Sequence, residues 1–299
     1  MSAIAVVSGA STLILAARIG GRKMNVRGAW GVSSFTFRDA VTTRWLMVLA
    51  VAFFLIATNL VGMLAAYIHV LPPRYGVLTL NEQVLVTFPF VPLLALLVGA
   101  TSIVDDRESG TMQYLLSNPI TKSDFFLGRI VGLLLATTVV IFIGFGGAAF
   151  LYLASGSAQF LAVAILALTA SLLNAVMLSL ALVISEVTKR KTTAIGIAMF
   201  FWFLFTTVSG LDTLTYAVYW RESAAAAVSL VLLDPVETSR IVGVEAAHLN
   251  ETLSFGQSDF LAKHFLGGDL LSVTILAVLS WLVSLTILGY LVFRRQDAT

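Results

Sequence analysis

"VDDRESGTMQYLLSNPITKSDFFLGR" (Val104–Arg129) carries seven charged residues, in a chain of which only 11% of residues are charged. Oily sequence lies on both sides. Leu85–Val104 runs for twenty residues without a charge, and Ile130–Ser185 for fifty-six. The second run would be about 84 Å long as a single helix, more than two bilayer thicknesses. It must fold back, and "ASGSAQ" (Ala154–Gln159) is its only good breaker. The quoted stretch is therefore a short polar hairpin between membrane helices.

Composition agrees. A soluble domain is about 45–50% apolar and about 25% charged. This chain is 59% apolar with mean hydropathy +0.96, too oily to cover a water-facing surface. It reads as an all-α integral membrane protein. A net charge of +2 gives no case for a nucleic-acid partner. The absence of cysteine excludes disulfides, thiolate zinc sites and thiol catalysis.

Spanning takes about 20 apolar residues. Six stretches qualify: Trp45–Ile68, Gln83–Val104, Ile130–Leu153, Phe160–Ser185, Thr192–Leu211 and Leu270–Phe293. Pro89 and Pro92 are expected to kink the second. Orientation follows from the basic residues. The segments before span one, between spans two and three, between four and five, and after span six hold fourteen of the eighteen. The other side has Arg74, Arg221, Arg240 and Lys263 against nine acidic residues. Both termini are then cytoplasmic, in the cell (inner) membrane, and the opening hairpin faces the cytoplasm.

Met1–Lys23 reads as an N-terminal extension, disordered or not translated if synthesis starts at Met24. Residues 24–299 form one membrane domain. Arg27–Arg44 reads as a helix in the inner interface, with Trp30, Phe37, Val41 and Trp45 on one face and Arg38 and Asp39 away from it. Gly210–Asp269 is an extracytoplasmic segment: a lid, a dock for an outer partner, or a solvated loop. Within it, "AAAAVSLVLL" (Ala224–Leu233) is too short to cross and dips in and returns. "DPVE" then opens a helix, with Asp234 as cap, Pro235 in the first turn and Glu237 near the positive helix end.

In the hairpin, Gly110 stops the preceding helix and Asn118-Pro119 stops the next segment. "TMQYLLS" between them makes about two helical turns. Thr121 and Asp124 form a capping-box-like pair that opens the following helix, where Gly128 and Gly132 permit close helix contact. The product is a short stiff helix tied to two spans, able to rock them if pushed. The alternative is an ordinary loop whose leucines rest on the membrane surface.

Phe90–Gly132 resembles the permease subunits of ABC-2 type exporters. Asp106, Arg107, Glu108, Gly110, Thr111, Leu115, Leu116, Pro119, Leu127, Gly128, Arg129 and Gly132 fall on that family's pattern. "LVLLDPVETSRI" (Leu230–Ile241) is similar to a step in the NosY-like permeases, which work in copper-enzyme maturation for nitrous oxide reductase; Asp234 replaces the more usual asparagine. The resemblance implies the ABC-2 (type V) exporter permease fold: six transmembrane helices, an interfacial N-terminal helix and a short coupling helix. It also implies that Thr111–Ser117 is gripped by a separate ATPase. Arg107, Glu108, Thr111, Met112, Tyr114, Leu115, Leu116 and Pro119 would be the coupling residues. Such permeases act as homodimers or paired permeases with two copies of the ATPase, which holds the ATP and Mg. No cofactor is expected on this chain itself, and a periplasmic accessory protein is a further expected partner. The chain has no G-x-x-x-x-G-K-[ST], so it lacks a phosphate cradle of its own.

Rival readings are weaker. An intramembrane zinc protease needs H-E-x-x-H, which is absent, and His69, His248 and His264 all lie beyond the spans. No Asp or Glu falls within a span, which argues against aspartyl catalysis and ion-coupled transport. A non-transporting scaffold or sensor is harder to reject. For a substrate pathway, Asn59, Asn174 and Thr207 are the candidate lining residues, with interhelical hydrogen bonding as the alternative role. Copper is not the expected cargo. Cu(I) favours thiolate and thioether ligands, and the seven methionines show no Met-x-x-Met spacing.

Overall fold

The computed structural model describes residues 26–68, 88–112, 121–154, 160–218, 231–247 and 270–295. Every regular element among them is helical. They are α1 (Val26–Thr42), α2 (Arg44–Ile68), α3 (Phe90–Glu108), α4 (Lys122–Ala154), α5 (Phe160–Val187), α6 (Lys191–Val218), α7 (Pro235–Ala246) and α8 (Leu270–Arg295). Three of these, α4, α5 and α8, are long and apolar enough to cross a membrane. The pair α1–α2, bent by 67°, makes a fourth candidate. The apolar part of α6, Lys191–Thr207, is shorter.

The breaks fall where turn chemistry puts them. α4 ends at Ala154 and α5 starts at Phe160, on either side of the Ser-Gly-Ser breaker. α8 ends on Arg294 and Arg295. Pro89 and Pro92 do not kink a span: Pro89 is the N-cap of α3 and Pro92 lies in its first turn. A missing N–H costs nothing there, because the first four N–H groups of a helix have no internal partner. The readings placed on Met1–Lys23, on residues 113–120 of the hairpin and on all but the last three residues of Ala224–Leu233 lie outside the described residues.

α5 is central and packs against α3, α4, α7 and α8. Gly99 of α3 lies against Ala181 and Leu178, so that pair approaches closely. α4 forms the second axis. A Cβ on Gly128 would meet the Ala29 carbonyl at 2.6 Å, and one on Gly132 the Ser33 carbonyl at 2.6 Å. Gly144 and Gly147 likewise face Phe53 and Phe54 of α2. The small residues along α4 therefore seat α1 at one end and α2 at the other, the small-residue contact that membrane helices use where lipid gives no hydrophobic drive.

α1 buries Val32, Ser33, Thr36 and Ala40 against α4 and leaves Trp30 68% exposed. Val41 is exposed as well, whereas Phe37 on the same face is half-buried against the core. Trp45, 70% exposed, does not share that face, because α1 stops at Thr42 and Trp45 belongs to α2 beyond the bend. α7 departs from a solvated outer loop. Ile241, Val242 and Val244 are buried, and Val242 joins a cluster with Val176 and Val278 from the interiors of α5 and α8. The indole of Trp281 donates to the Leu232 carbonyl at 3.0 Å. The segment is packed into the bundle.

Candidate functional site

The four charges that end α3 reach three other helices. Successive helical residues point about 100° apart, so a run of four covers most of the circle. Asp105 pairs with the Lys191 ammonium at 2.6 Å. Asp106 pairs with Arg129 of α4 at 2.5 Å. Arg107 donates to the Glu186 and Thr188 carbonyls at 3.4 and 3.2 Å, at the end of α5. Glu108 accepts from the backbone N–H of Lys191 at 2.9 Å, at the start of α6. Both helix-end contacts suit the macrodipole: a cation at a C-terminus and an anion at an N-terminus.

Arg129 is the centre of this hub. Its side chain is 3% exposed, and every guanidinium nitrogen is engaged. Nε donates to Ser102 Oγ at 2.8 Å, Nη2 to the Ser102 carbonyl at 2.8 Å, and Nη1 to Thr36 Oγ1 of α1 at 3.3 Å. A buried cation is tolerable only with such complete pairing. Nearby, Ser185 Oγ accepts from the Ile103 and Val104 N–H groups at 3.0 and 3.1 Å. The ends of α1, α3, α4, α5 and α6 are thus joined through polar contacts around one helix terminus.

Immediately after the hub, Gly110 takes a positive φ of 76° and closes α3. This left-handed cap is cheap only for glycine. Thr111 follows, its hydroxyl 2.8 Å from that of Ser109. Met112 is buried with Val32, Phe125, Phe126 and Phe293. Phe293 stacks on Phe125 and Phe126, with both centroid separations 5.7 Å. The start of the 111–117 segment therefore stands on an aromatic platform built by α4 and α8, with Val32 of α1 beside it. On its return, the capping box is reciprocal. The Thr121 N–H donates to Asp124 at 3.1 Å, and the Asp124 N–H to the Thr121 hydroxyl at 3.1 Å.

Of the proposed coupling residues, Arg107, Glu108, Thr111 and Met112 are thus gathered at this one end. Tyr114, Leu115, Leu116 and Pro119 lie outside the described residues. The pathway candidates are not brought together. Asn174 is buried and donates to Thr137 Oγ1 at 2.8 Å, an α5–α4 hydrogen bond. Thr207 is half-buried on α6, and the Asn59 side chain lies outside the described residues. Asp105, Asp106, Arg129 and Lys191 were not among the coupling candidates. For the two aspartates the signal was the unbroken D-D-R-E run at the end of an oily helix; Arg129 and Lys191 lie outside it.

Residues 31–298 match the family described as ABC-2 family transporter protein. The chain belongs to that family. It is 28% identical over 277 residues to a protein of Stutzerimonas stutzeri named "Probable ABC transporter permease protein NosY", covering 89% of this chain and 98% of that one. A protein of the same name from Pseudomonas aeruginosa is 28% identical over 227 residues, covering 72% and 81%. The resemblance read from Phe90–Gly132 and Leu230–Ile241 is borne out: this is a NosY-like ABC-2 permease in sequence, a membrane transporter component with apolar helices.

Proposed function

We propose that the chain is the permease subunit of an ATP-binding cassette exporter, driven by a separate ATPase through the 111–117 coupling helix. The observation that carries this is the hub: the 111–117 segment leaves α3 directly beyond Asp105–Glu108, whose side chains reach α4, α5 and α6. A push on that segment would reach several helices at once rather than one. α2, α3, α4, α5, α6 and α8 are read as six spans, with both termini cytoplasmic in the inner membrane. Two permeases and two ATPase copies, the latter holding ATP and Mg, make the working unit. The permease itself turns over no substrate. By analogy with the relatives' name, its narrower role would lie in copper-enzyme maturation, with a periplasmic protein as an accessory.

The test is co-purification of the permease with a candidate ABC ATPase, followed by ATP turnover in proteoliposomes. Leu115→Glu with Leu116→Glu should abolish both association and permease-stimulated turnover, while the permease keeps its thermal unfolding temperature. Association and stimulation at the unsubstituted level would remove the coupling role from this helix.

A further inference from the structure

Inside the elbow between α1 and α2 lies a cavity of about 250 Å³, closed by α3, α4 and α6. Its lining is graded in polarity. Along α3, along α6 and from the bend into α2, the polar residue sits toward the hub and the apolar ones lie one or two turns further into the bundle. Asp105 of α3 precedes Leu97 and Val98 in that sense, Lys191 of α6 precedes Ile195, and Thr43 at the bend precedes Leu46 and Leu49. One or two turns is about 5–11 Å, the scale on which a bilayer passes from headgroup to acyl chain. Exposed Trp45 stands on the same wall, where interfacial aromatics belong.

The charges at the polar end discriminate between headgroups. Asp105 and Lys191 neutralise each other, and their side chains are 42% and 43% exposed. Asp39, also on the lining, has no ion-pair partner among the described residues. Arg129 is committed to Asp106, Ser102 and Thr36. The surplus is one carboxylate beside an ammonium that can still donate to a phosphate oxygen. An anionic headgroup would meet Asp39 and Asp105 with only Lys191 to balance them. A quaternary ammonium cannot hydrogen-bond a carboxylate. A headgroup with both a phosphate and a primary ammonium satisfies all three groups.

We propose that this cavity binds the headgroup and upper acyl chain of an aminophospholipid of the phosphatidylethanolamine class, with its ammonium on Asp39 and its phosphate at Lys191. The volume is below the about 300–1,000 Å³ of a complete small-molecule pocket. It suits a ligand whose remaining length stays in the bilayer. The site rests on α1 lying in the membrane interface and not on coupling to an ATPase, so the two can fail separately.

The permease, without its ATPase, is placed in nanodiscs of equimolar phosphatidylethanolamine, phosphatidylcholine and phosphatidylglycerol, and the retained lipid is read by native mass spectrometry. One phosphatidylethanolamine per chain is expected, enriched about tenfold over the other two, the ratio that one charge-assisted contact supplies. Asp39→Asn should bring the three lipids to parity, Asp39→Glu should keep the preference, and Leu49→Trp should fill the cavity and remove the bound lipid. Tryptophan fluorescence melting checks that each variant is folded; Asp39 is exposed, so its substitutions decide the matter even if Leu49→Trp does not fold. Retained lipid that mirrors the mixture, or a preference that survives Asp39→Asn, overturns the proposal.

Discussion

Two polar clusters are buried in this oily protein, and they are wired differently. At the Arg129 end, contacts run between helices: Thr36 of α1, Asp106 of α3 and Arg129 of α4 meet, and Arg107 and Glu108 extend the set to α5 and α6. Around α7 they run along the chain. Asp234 accepts from the Val236 and Glu237 N–H groups at 2.8 and 3.4 Å, and Thr238 donates to the Val231 and Asp234 carbonyls. Arg240 pairs with Glu237 one turn before it. Both arrangements meet the cost of burying polar groups. The first ties α1, α3, α4, α5 and α6 to one another; the second chiefly holds one segment in shape.

The sharpest way to break that contrast is Arg129→Met. Asp106 would be left buried without its partner, a loss of about 3–5 kcal/mol for this kind of pair. Adding Asp106→Leu should recover most of it, because two apolar side chains need no pairing. Thermal unfolding in detergent measures the size, and hydrogen exchange measures the reach. Faster exchange is expected at the hub ends of α1, α3 and α4 together. If only α4 loosens, the hub is not a junction.

Gly132→Val comes next. Its side chain would collide with the Ser33 carbonyl and Thr36 of α1, both backbone-tied, and overpacking of this kind costs about 1–3 kcal/mol. Exchange should rise in α1 and leave α7 unchanged. Gly146→Val on the same helix, with nothing within 4 Å of its added Cβ, is the matched control and should show no such loss.

Such local features were largely legible in the sequence. Gly110, the Thr121–Asp124 box, Asp234–Pro235 and the α4 glycines act through neighbours within four residues or through their own lack of a side chain, so spacing alone exposes them. The partners of Arg129 were not legible. Asp106 is twenty-three positions away and Thr36 ninety-three, and no periodicity links them. A charge beside a membrane helix is read as solvated by default, and here the packing of α1 over Gly128 and Gly132 removes that solvent. The helix of α7 and its cap were legible, but its burial was not: Glu237 and Arg240 satisfy each other and allow it.

At the other cluster, Asp234→Ala removes the α7 cap. The expected loss is about 0.5–2 kcal/mol, as for other N-caps. Faster exchange should be confined to α7, leaving the hub helices as they were. An effect spreading to α1 or α4 would mean that the two clusters are mechanically one.

The smallest effect expected lies within the hub itself, and it separates a pin from a rim. Lys191 takes part twice: its ammonium meets Asp105 where both side chains are over two-fifths exposed, and its backbone N–H is held by Glu108. Lys191→Gln removes the first contact and keeps the second. An exposed pair contributes about 0.2–1 kcal/mol and is screened within about 8 Å at physiological salt. The variant should therefore melt only slightly below the parent, and the gap should close in high salt. Arg129→Met should show no such recovery, since its pair is shielded from ions. A large, salt-insensitive loss at Lys191 would make the rim as rigid as the centre. A push from the 111–117 segment would then find no compliant joint at α6, and the hub would act as a block rather than a hinge.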